Sequence, residues 1–192
     1  MPYTKVSITK RGTAGSPIAK DPNIILINVK DIAVDTAGKP TGFPTKDASG
    51  VKTTSNITLK SGAKAMALYA TRSTIKRFDT SDGAEDAMGF VQNVEFETPG
   101  DLLEANEFIQ NNLNEDFLIL TTECSDATGT RLHGTPCNPM KIKFEQQDDN
   151  EGKKMTFKFA SVQRSQFKMA HYAGTIPTIA DYPTAGSGSG GI

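Results

Sequence analysis

The sequence predicts a mainly β fold: a β-sandwich or barrel-like domain with one short α-helix between strands, a long early loop and a C-terminal arm. Three observations support this prediction. Several segments alternate apolar and polar residues with the period of a β-strand. Only one segment has the three- and four-residue spacing of an amphipathic helix. Hydrophobic residues make up 36% of the chain and charged residues 22%, so that Thr, Ser, Gly, Asn and Gln are abundant, as is typical of strands and long loops.

Length and charge limit the possible classes of protein. A chain of 192 residues corresponds to one domain with extensions, and we expect a single β domain over residues 1–184 and a Gly/Ser-rich tail over residues 185–192. The formal net charge is -1 without a basic block, which argues against clamping of duplex nucleic acid through its phosphates. We find no signal segment and no apolar run of about 20 residues, so we expect a soluble protein that contacts no membrane.

The first half of the chain contains the clearest central strand. Asn23 to Ile32 carries apolar residues on both faces, as a strand buried on both sides requires. Alternating patterns predict further strands at Tyr3 to Ile8, Ile57 to Lys60 and Lys64 to Arg72. Ser73 to Phe78 either continues or pairs with the last of these strands, and the acid-rich segment after it is expected to be a turn.

A long loop from Ala33 to Asn56 separates these strands. Glycine and proline break every periodicity in it, and loops beyond about 15 residues are uncommon in compact domains unless they are functional or disordered. Phe43, between Gly42 and Pro44, is an apolar residue in an otherwise polar segment. Two interpretations remain open: a floppy loop with one exposed aromatic side chain, or an arm whose Phe43 docks on an adjacent subunit.

One helix is expected between two strands. After the alternating strand Gly89 to Glu97, the sequence Thr98-Pro99-Gly100-Asp101 offers a cap residue, a proline at the first helical position and an acid in the first turn. These signals predict a helix from Pro99 to Asn112. A strand over Asp116 to Cys124, apolar on both faces, should follow. The apolar stripe expected to pack on the sheet comprises Leu102, Ala105, Phe108, Ile109 and Leu113.

A β-hairpin over Met140 to Val162 is the best-defined element of the sequence. Two registers place apolar residues opposite apolar residues. We favour the register that sets Glu145 across from Lys154, because the other sets Lys143 across from Lys158 and directly opposed like charges destabilise a sheet. This choice predicts Phe144 opposite Met155 and Ile142 opposite Phe157. A last strand is expected over Gln166 to Tyr172.

Catalytic and metal-binding chemistry has little support in the sequence. His133 and His171 are the two histidines, and no serine lies in a nucleophile-elbow motif. Cys124, His133 and Cys137 supply three possible zinc ligands, but no close C-x-x-C pair accompanies them, so a polar connection between strands is favoured. We expect reduced, buried thiols at both cysteines, although a disulfide between them is geometrically possible. The prediction is a protein that is not an enzyme and that holds no cofactor or metal.

The order of these elements resembles that of a known structural family. The strand, helix and strand unit Gly89 to Cys124 contains the segment E-F-E-T-P-G-D-L-L from Glu95 to Leu103. Together with the hairpin from Met140 to Val162 and the early loop, this unit resembles the major tail tube proteins of long-tailed bacteriophages and their relatives in contractile injection systems. The resemblance implies a subunit of the virion tail, made in the host cytoplasm, that forms stacked hexameric rings around a DNA conduit. The implied partners are copies of itself, other tail proteins, and DNA that passes without specific binding.

The tail tube resemblance implies two groups of site residues and no catalytic residue. Loops and termini should clasp adjacent subunits, and the inter-subunit contacts that we expect are Phe43, Phe117, Tyr172 and Tyr182. A bore through which DNA slides should repel phosphate rather than bind it. The acids that we expect near the lumen are Glu95, Glu97, Asp148 and Asp149.

Two alternative functions are open at this point. One is another virion component, such as a decoration or head-completion protein, that binds a preformed lattice. The other is a β module that binds a small ligand or a carbohydrate. Such a module needs an apolar pocket with convergent polar groups, and a chain with no tryptophan and four tyrosines is poorly supplied with stacking platforms.

Overall fold

The computed structural model describes residues 7–8, 18–124, 126–150 and 152–181, and this part of the chain is mainly β, as the sequence predicts. Its helix, α1, spans Leu103–Asn112, and short 3-10 turns occupy Val29–Asp31 and Arg72–Thr74. The predicted strand at Tyr3 to Ile8 lies largely outside the described residues. The strands are β1 (Asn23–Asn28), β2 (Met66–Tyr69), β3 (Lys76–Asp82), β4 (Gly89–Pro99), β5 (Phe117–Glu123), β6 (Asp126–His133), β7 (Met140–Asp149), β8 (Gly152–Ser161) and β9 (Ala170–His171).

The strands form one antiparallel sheet in the order β2-β1-β5-β7-β8-β4-β3. β6 and β9 are not part of this strand order: β6 pairs with β5, and β9 pairs with β6. β5 joins the two halves of the sheet, because it pairs with β1 along one edge and meets β7 at its first residue, where Phe117 lies opposite Met140. The two halves face each other across a shared apolar core, which gives the molecule its sandwich-like character.

The first core lies between β1 and β5 on one side and β7, β8 and β4 on the other. Its centre is aromatic: the rings of Phe96 and Phe157 stack with their centroids 5.1 Å apart. Phe108 of α1 packs against Phe117 and Phe157 at ring distances of 6.3 and 6.4 Å. The helix therefore closes one end of this core, as its apolar spacing predicts.

The second core covers the opposite face of β1 and β5. Ile25 and Ile27 of β1 and Leu118 and Leu120 of β5 point into it. Since the neighbouring residues of both strands point into the first core, β1 and β5 are buried on both faces. This confirms the prediction made from their continuous apolar runs.

The early loop supplies the cover of the second core. Phe43 is half-buried and packs against this core. Gly42 lies so close to the neighbouring backbone that a Cβ there would be 2.0 Å from the carbonyl oxygen of Thr58, and its own carbonyl accepts a hydrogen bond from the Thr58 N–H at 2.9 Å. The described loop is therefore folded onto the body of its own chain, and neither a floppy loop nor a projecting arm describes it.

The segment before the C-terminal tail is also folded onto the body. Tyr172 is 2% exposed, and its hydroxyl donates to the carbonyl of Thr175 at 2.8 Å and accepts from the N–H of Ile57 at 3.0 Å. Ile179 packs against the second core and lies beside Ala65 in a parallel bridge. The described residues up to Asp181 therefore belong to the body of the domain, and the predicted C-terminal tail over residues 185–192 lies outside the described residues.

Several local predictions differ from the structure. The strand expected over Ile57 to Lys60 is not among the strands of the described residues, where Leu59 forms only an isolated bridge with Ile32. The helix begins at Leu103 rather than Pro99, because Thr98 and Pro99 continue β4 opposite Met155 and Lys154 of β8. The expected acidic turn is in part a strand, since β3 extends to Asp82 along β4. β6 was expected to be a polar connection, and it is a strand because β5 and β9 flank it.

The hairpin exists as predicted, but its register is the one that the charge rule disfavoured. Lys143 lies opposite Lys158, Phe144 opposite Phe157, and Ile142 opposite Phe159. The predicted pairs of Phe144 with Met155 and Ile142 with Phe157 are therefore wrong. Lys158 is held at 2.7 Å from Glu145 and faces Glu95 on β4, so that nearby carboxylates offset the repulsion between the two lysines.

Candidate assembly surface

The outer face of the four strands β7, β8, β4 and β3 is left uncovered by the described residues. Val94 and Phe96 of β4 point into the first core, so the alternate residues Glu95 and Glu97 point away from it. We call this surface the outer sheet face. By the strand register it carries Lys141, Lys143, Glu145 and Gln147 from β7, Lys154, Thr156, Lys158 and Ala160 from β8, Val91, Asn93, Glu95 and Glu97 from β4, and Lys76, Phe78 and Thr80 from β3.

Charges of both signs alternate on the outer sheet face. Glu97 lies 3.4 Å from Lys154, and Glu95 stands between two lysines, Lys76 on β3 and Lys158 on β8. The predicted acids Glu95 and Glu97 therefore share one surface. They do not make it acidic, because the same surface carries more lysines than carboxylates. The surface on which Glu95 and Glu97 stand is therefore one of mixed charge, and their expected position near a lumen stays a prediction.

The other two predicted lumen acids lie at the exposed tip of the hairpin. Asp148 forms an ion pair with Lys153 at 2.9 Å, and both side chains are about half exposed. Asp149 accepts a hydrogen bond from the side chain of Gln147. Glu95 and Glu97 lie on β4, whereas Asp148 and Asp149 lie at the end of β7. The structure therefore divides the four predicted acids between a sheet face and a hairpin tip.

The strand β3 forms one end of the sheet. It pairs with β4 along all seven of its residues, and no strand in the described part of the chain pairs with its other edge. Phe78 stands on the outer sheet face of this strand and is 37% exposed. Unpaired strand edges are templates for pairing with another chain, so β3 and its exposed aromatic side chain form a candidate contact that sequence reasoning missed.

The inner side of β3 is fixed by a buried polar network. The guanidinium of Arg77 forms an ion pair with Glu123 of β5 and donates to the carbonyl of Gly129 at 3.1 Å. It also lies 3.3 Å from the hydroxyl of Thr121, which is 3.2 Å from Nε2 of the fully buried His133. The network links β3 to β5 and β6 and so holds the edge strand in place.

An apolar groove runs between β2 and α1 at the other end of the sheet. Leu102 and Tyr69 line it and are 57% and 51% exposed. Its volume is about 420 Å³. Only part of the predicted helical stripe packs on the first core, namely Ala105, Phe108 and Ile109, while Leu102 and Leu113 remain exposed. We call this feature the β2–α1 groove.

The predicted inter-subunit residues occupy interior positions where the structure describes them. Phe117 is 0% exposed and lies in the first core, so its partners belong to its own chain. Tyr172 is buried in the second core and Phe43 packs on it. The predictions for Phe117 and Tyr172 are corrected, because these two aromatic side chains fill the cores of the chain itself. Phe43 is half-buried, and its expected contact with a neighbouring subunit stays a prediction. Tyr182 lies outside the described residues.

The cysteines and histidines of the described residues are the side chains to consider for catalysis or metal binding. Cys124 and Cys137 are free and exposed rather than buried, while His133 is enclosed between strands. No group of three or more His, Cys, Asp or Glu side chains within the described ranges is arranged to hold a metal ion. Among those residues there is also no helix with the length and apolarity needed to cross a membrane.

Comparison with protein-family models, curated proteins and solved structures identified no match for this chain. The outer sheet face, the β3 edge and the β2–α1 groove must therefore be interpreted from their own geometry.

Proposed function

We propose that this chain is a structural subunit that assembles with copies of itself, of the kind that forms the tail tube of long-tailed bacteriophages. The observation that carries the proposal is the uncovered end of the sheet at β3, with Phe78 exposed beside it. Along this seven-residue edge strand, the N–H and C=O groups of alternate residues face away from β4. These groups gain hydrogen bonds when a strand of another copy adds to the edge.

Contacts of this kind form a ring when the rotation that relates neighbouring copies closes on itself. An edge strand that pairs with a different surface of the next copy makes a heterologous contact, and such contacts generate either a closed ring or an open filament. Closure of the ring removes the exposed edges, as closure of a barrel does. Stacked rings would form the conduit, with other tail proteins at its ends and DNA passing through.

The mixed charge of the outer sheet face suits a surface along which DNA slides. Two ion pairs lie on this face, Glu97 with Lys154 at 3.4 Å and Glu145 with Lys158 at 2.7 Å. The positive charge of each of these two lysines is therefore partly offset by a carboxylate. Tight DNA binding needs several lysines free to displace counterions from the phosphates. Lys141, Lys154 and Lys158 lie in ion pairs, so the face leaves few lysines free for tight DNA binding.

The experiment is electron microscopy and native mass spectrometry of the purified chain over a range of concentrations. We expect rings or tubes from the native sequence and their loss in Phe78→Lys, because a charge at the β3 edge opposes the addition of another strand. The matched control is Val34→Lys. Val34 is 41% exposed on the early loop, and its replacement should leave assembly unchanged.

Three results would contradict the proposal. Monomers at every concentration would exclude self-assembly as the function. Isolated particles that bind only to preformed capsids would favour a decoration or head-completion protein instead. Equal assembly by Phe78→Lys and the native chain, with both folded by circular dichroism, would show that β3 is not the contact.

A further inference from the structure

β7 has a second unpaired edge of the sheet on the side away from β8. It pairs with β8 along its whole length, but on its other side it pairs only at Met140, opposite Phe117 of β5. In the described part of the chain, no backbone group bonds to this side of β7 beyond Met140, and the residues from Glu145 to Asp149 are exposed. The strands β7, β8, β4 and β3 therefore form a four-stranded unit with an open edge on each side.

The hydrogen bonds at the start of β7 show which of its residues point outward. The N–H of Val162 donates to the carbonyl of Pro139 at 3.1 Å, so Pro139 faces the β8 side. Backbone groups alternate sides along an antiparallel pair, so Met140 faces β5, where it pairs with Phe117. The register with β8 continues without a bulge. The further residues of β7 that direct their N–H and C=O away from β8 are therefore Ile142, Phe144, Gln146 and Asp148.

The outward residues of β3 follow from the bonds of β4. Phe90 of β4 bonds to Ser165 through both its N–H and its C=O, at 2.7 and 2.9 Å. Its partner on β3 is Ser81, which therefore directs its own N–H and C=O away from β4. By alternation, Arg77 and Asp79 do the same. Both open edges thus present a regular row of backbone donors and acceptors.

The directions of the two edges allow them to pair between copies. β7, β8, β4 and β3 are joined by three antiparallel pairings, so β3 runs antiparallel to β7 in one chain. Rotation about the axis of a ring keeps the direction of each strand relative to that axis. β3 of one copy therefore meets β7 of the next copy in the antiparallel sense, as in the pairings within the chain, and no strand has to be reversed.

Charge favours one register for such a junction. Outward residues must face outward residues, so the allowed registers differ by steps of two residues. In one of them Lys76 faces Asp149 of the next copy. At the other end of β3, Asp82 then faces Lys143 of the next copy. Opposite charges that face each other across strands stabilise a sheet, and this register has them at both ends of β3.

The neighbouring registers are less favourable. A shift of two residues in one direction sets Asp79 opposite Asp148 of the next copy, and directly opposed like charges destabilise a sheet. A shift of two residues in the other direction retains one pair of opposite charges, Asp82 with Lys141. The register with two such pairs is therefore preferred.

We propose that β3 of one copy pairs antiparallel with β7 of the next copy, with Lys76 opposite Asp149 and Asp82 opposite Lys143. This contact rests on the self-assembly proposed above and names the strand that receives the β3 edge. It is heterologous, because β3 and β7 are different surfaces of the chain. It joins the four-stranded units into one continuous sheet, so that the outer sheet face continues from copy to copy.

The first test is a disulfide across the junction. Thr80 and Glu145 face each other in the proposed register, at a non-hydrogen-bonded position where cross-strand Cα atoms lie about 4.5 Å apart, within disulfide range. In one chain β4 and β8 separate these two residues by about 14 Å, which is too far for a disulfide. Cross-links between Thr80→Cys and Glu145→Cys would therefore join different copies.

The assembled variant is oxidised and analysed by gel electrophoresis without reductant. The background chain carries Cys124→Ser and Cys137→Ser, because both native cysteines are exposed. We expect a ladder of covalent oligomers that reductant removes. The matched control pairs Thr80→Cys with Gln147→Cys, which is displaced by two residues from the proposed register and should form few cross-links.

The outcomes separate this contact from self-assembly itself. Rings that form without cross-links in the Glu145→Cys variant, or with equal cross-links in the Gln147→Cys control, would overturn the β3–β7 contact and leave the proposed self-assembly standing. A native chain that stays monomeric would overturn both. Dimers as the largest assembly would also overturn the contact, because an isologous β3–β3 pairing closes after two copies.

A second test exchanges the charges of Asp82 and Lys143. Asp82→Lys and Lys143→Glu should each raise the protein concentration needed for half-maximal ring assembly several-fold, because each sets like charges opposite one another. Both changes together restore opposite charges and should return that concentration close to its native value. Glu104→Lys, a charge reversal at an exposed position of α1, is the matched control and should have no effect. Losses that simply add in the double variant would overturn the proposed register.

Discussion

His133 is the residue whose environment departs most from that of a free side chain. It is 0% exposed, and burial, aided by the positive charges of Arg77 and Arg131, lowers the pKa of its imidazole to about 3. The imidazole is therefore neutral inside the fold at pH 7, where it contacts Thr121. Unfolding exposes it to water, where its pKa returns to about 6.5.

This difference predicts acid sensitivity. The folded pKa is depressed, so between pH 6.5 and 3 the unfolded chain binds a proton that the folded chain does not. The free energy of unfolding should therefore fall as the pH falls, by about 1.4 kcal/mol per unit and by roughly 2 kcal/mol at pH 5. Urea unfolding of the native chain and of His133→Gln at pH 7, 6 and 5 would measure it. In His133→Gln the free energy of unfolding should no longer show this decrease with falling pH, whatever its value at pH 7.

The control for this prediction is His171→Gln. His171 is exposed and only its backbone takes part in the strand pairing with β6, so its replacement retains the buried imidazole and should retain most of the slope. Equal pH slopes in the native chain and in His133→Gln would show that the buried imidazole does not control acid sensitivity.

At the scale of elements, the hairpin shows where a local rule is outweighed. The charge rule considers only the facing pair Lys143 and Lys158, but β4 on the far side of β8 brings Glu95 next to Lys158. The rings of Phe144 and Phe157 are also in contact, with centroids 5.6 Å apart. The register is thus fixed by a third strand and by aromatic packing, neither of which is visible in the hairpin sequence alone.

Replacement of one lysine tests this register. Lys143→Glu would place a carboxylate opposite Lys158 in place of a like charge, so we expect the free energy of unfolding to rise by about 0.2 to 1 kcal/mol. The matched control Lys141→Glu stands opposite Ala160 and removes the 2.7 Å ion pair with Asp116, so it should not stabilise the fold. Chemical denaturation at low salt would measure both. No gain from Lys143→Glu, or an equal gain from Lys141→Glu, would contradict the register.

The elements differ in how far the sequence determines them. β1 and β5 are predictable, because continuous apolar runs such as Phe117 to Leu120 have few alternatives to burial on both faces. The helix start is not predictable from its local signals, since Thr98 donates its hydroxyl to the carbonyl of Tyr69 at 2.7 Å instead of capping the helix. β6 escapes prediction because its pairing partners are far away in the sequence or separated by a turn.

At the scale of the whole molecule, the open surfaces depend on which loops return to the body. The early loop covers the second core, as the packing of Phe43 and the close approach of Gly42 to Thr58 require. What remains open in the described chain is the β3 edge, the outer sheet face and the β2–α1 groove. The sequence predicted the class of fold, but it did not predict these surfaces, because exposure depends on contacts between distant segments.

The charge of the outer sheet face gives the last prediction, which rests on the proposed tube. If this face lines the bore, Glu95→Lys with Glu97→Lys removes the carboxylates that pair with its lysines and creates a basic patch. Exposed ion pairs contribute little to stability, and the contact between Phe144 and Phe157 still holds the hairpin register after Glu95 is replaced. The subunits should therefore still fold and assemble, which circular dichroism and electron microscopy would check. The patch should retain DNA inside the tubes, and raising the salt concentration should release it.

The measurement is the fraction of DNA retained by assembled tubes as the salt concentration rises, together with the rate of DNA passage. The matched control is Glu104→Lys, which reverses a charge at an exposed position of α1, away from the sheet face. It should leave both quantities unchanged. If tubes of the double variant pass DNA at the same rate as native tubes, the outer sheet face does not line the bore. Equal retention by both variants would show an effect of net charge rather than of this face, because only the double variant alters the surface on which Glu95 and Glu97 stand.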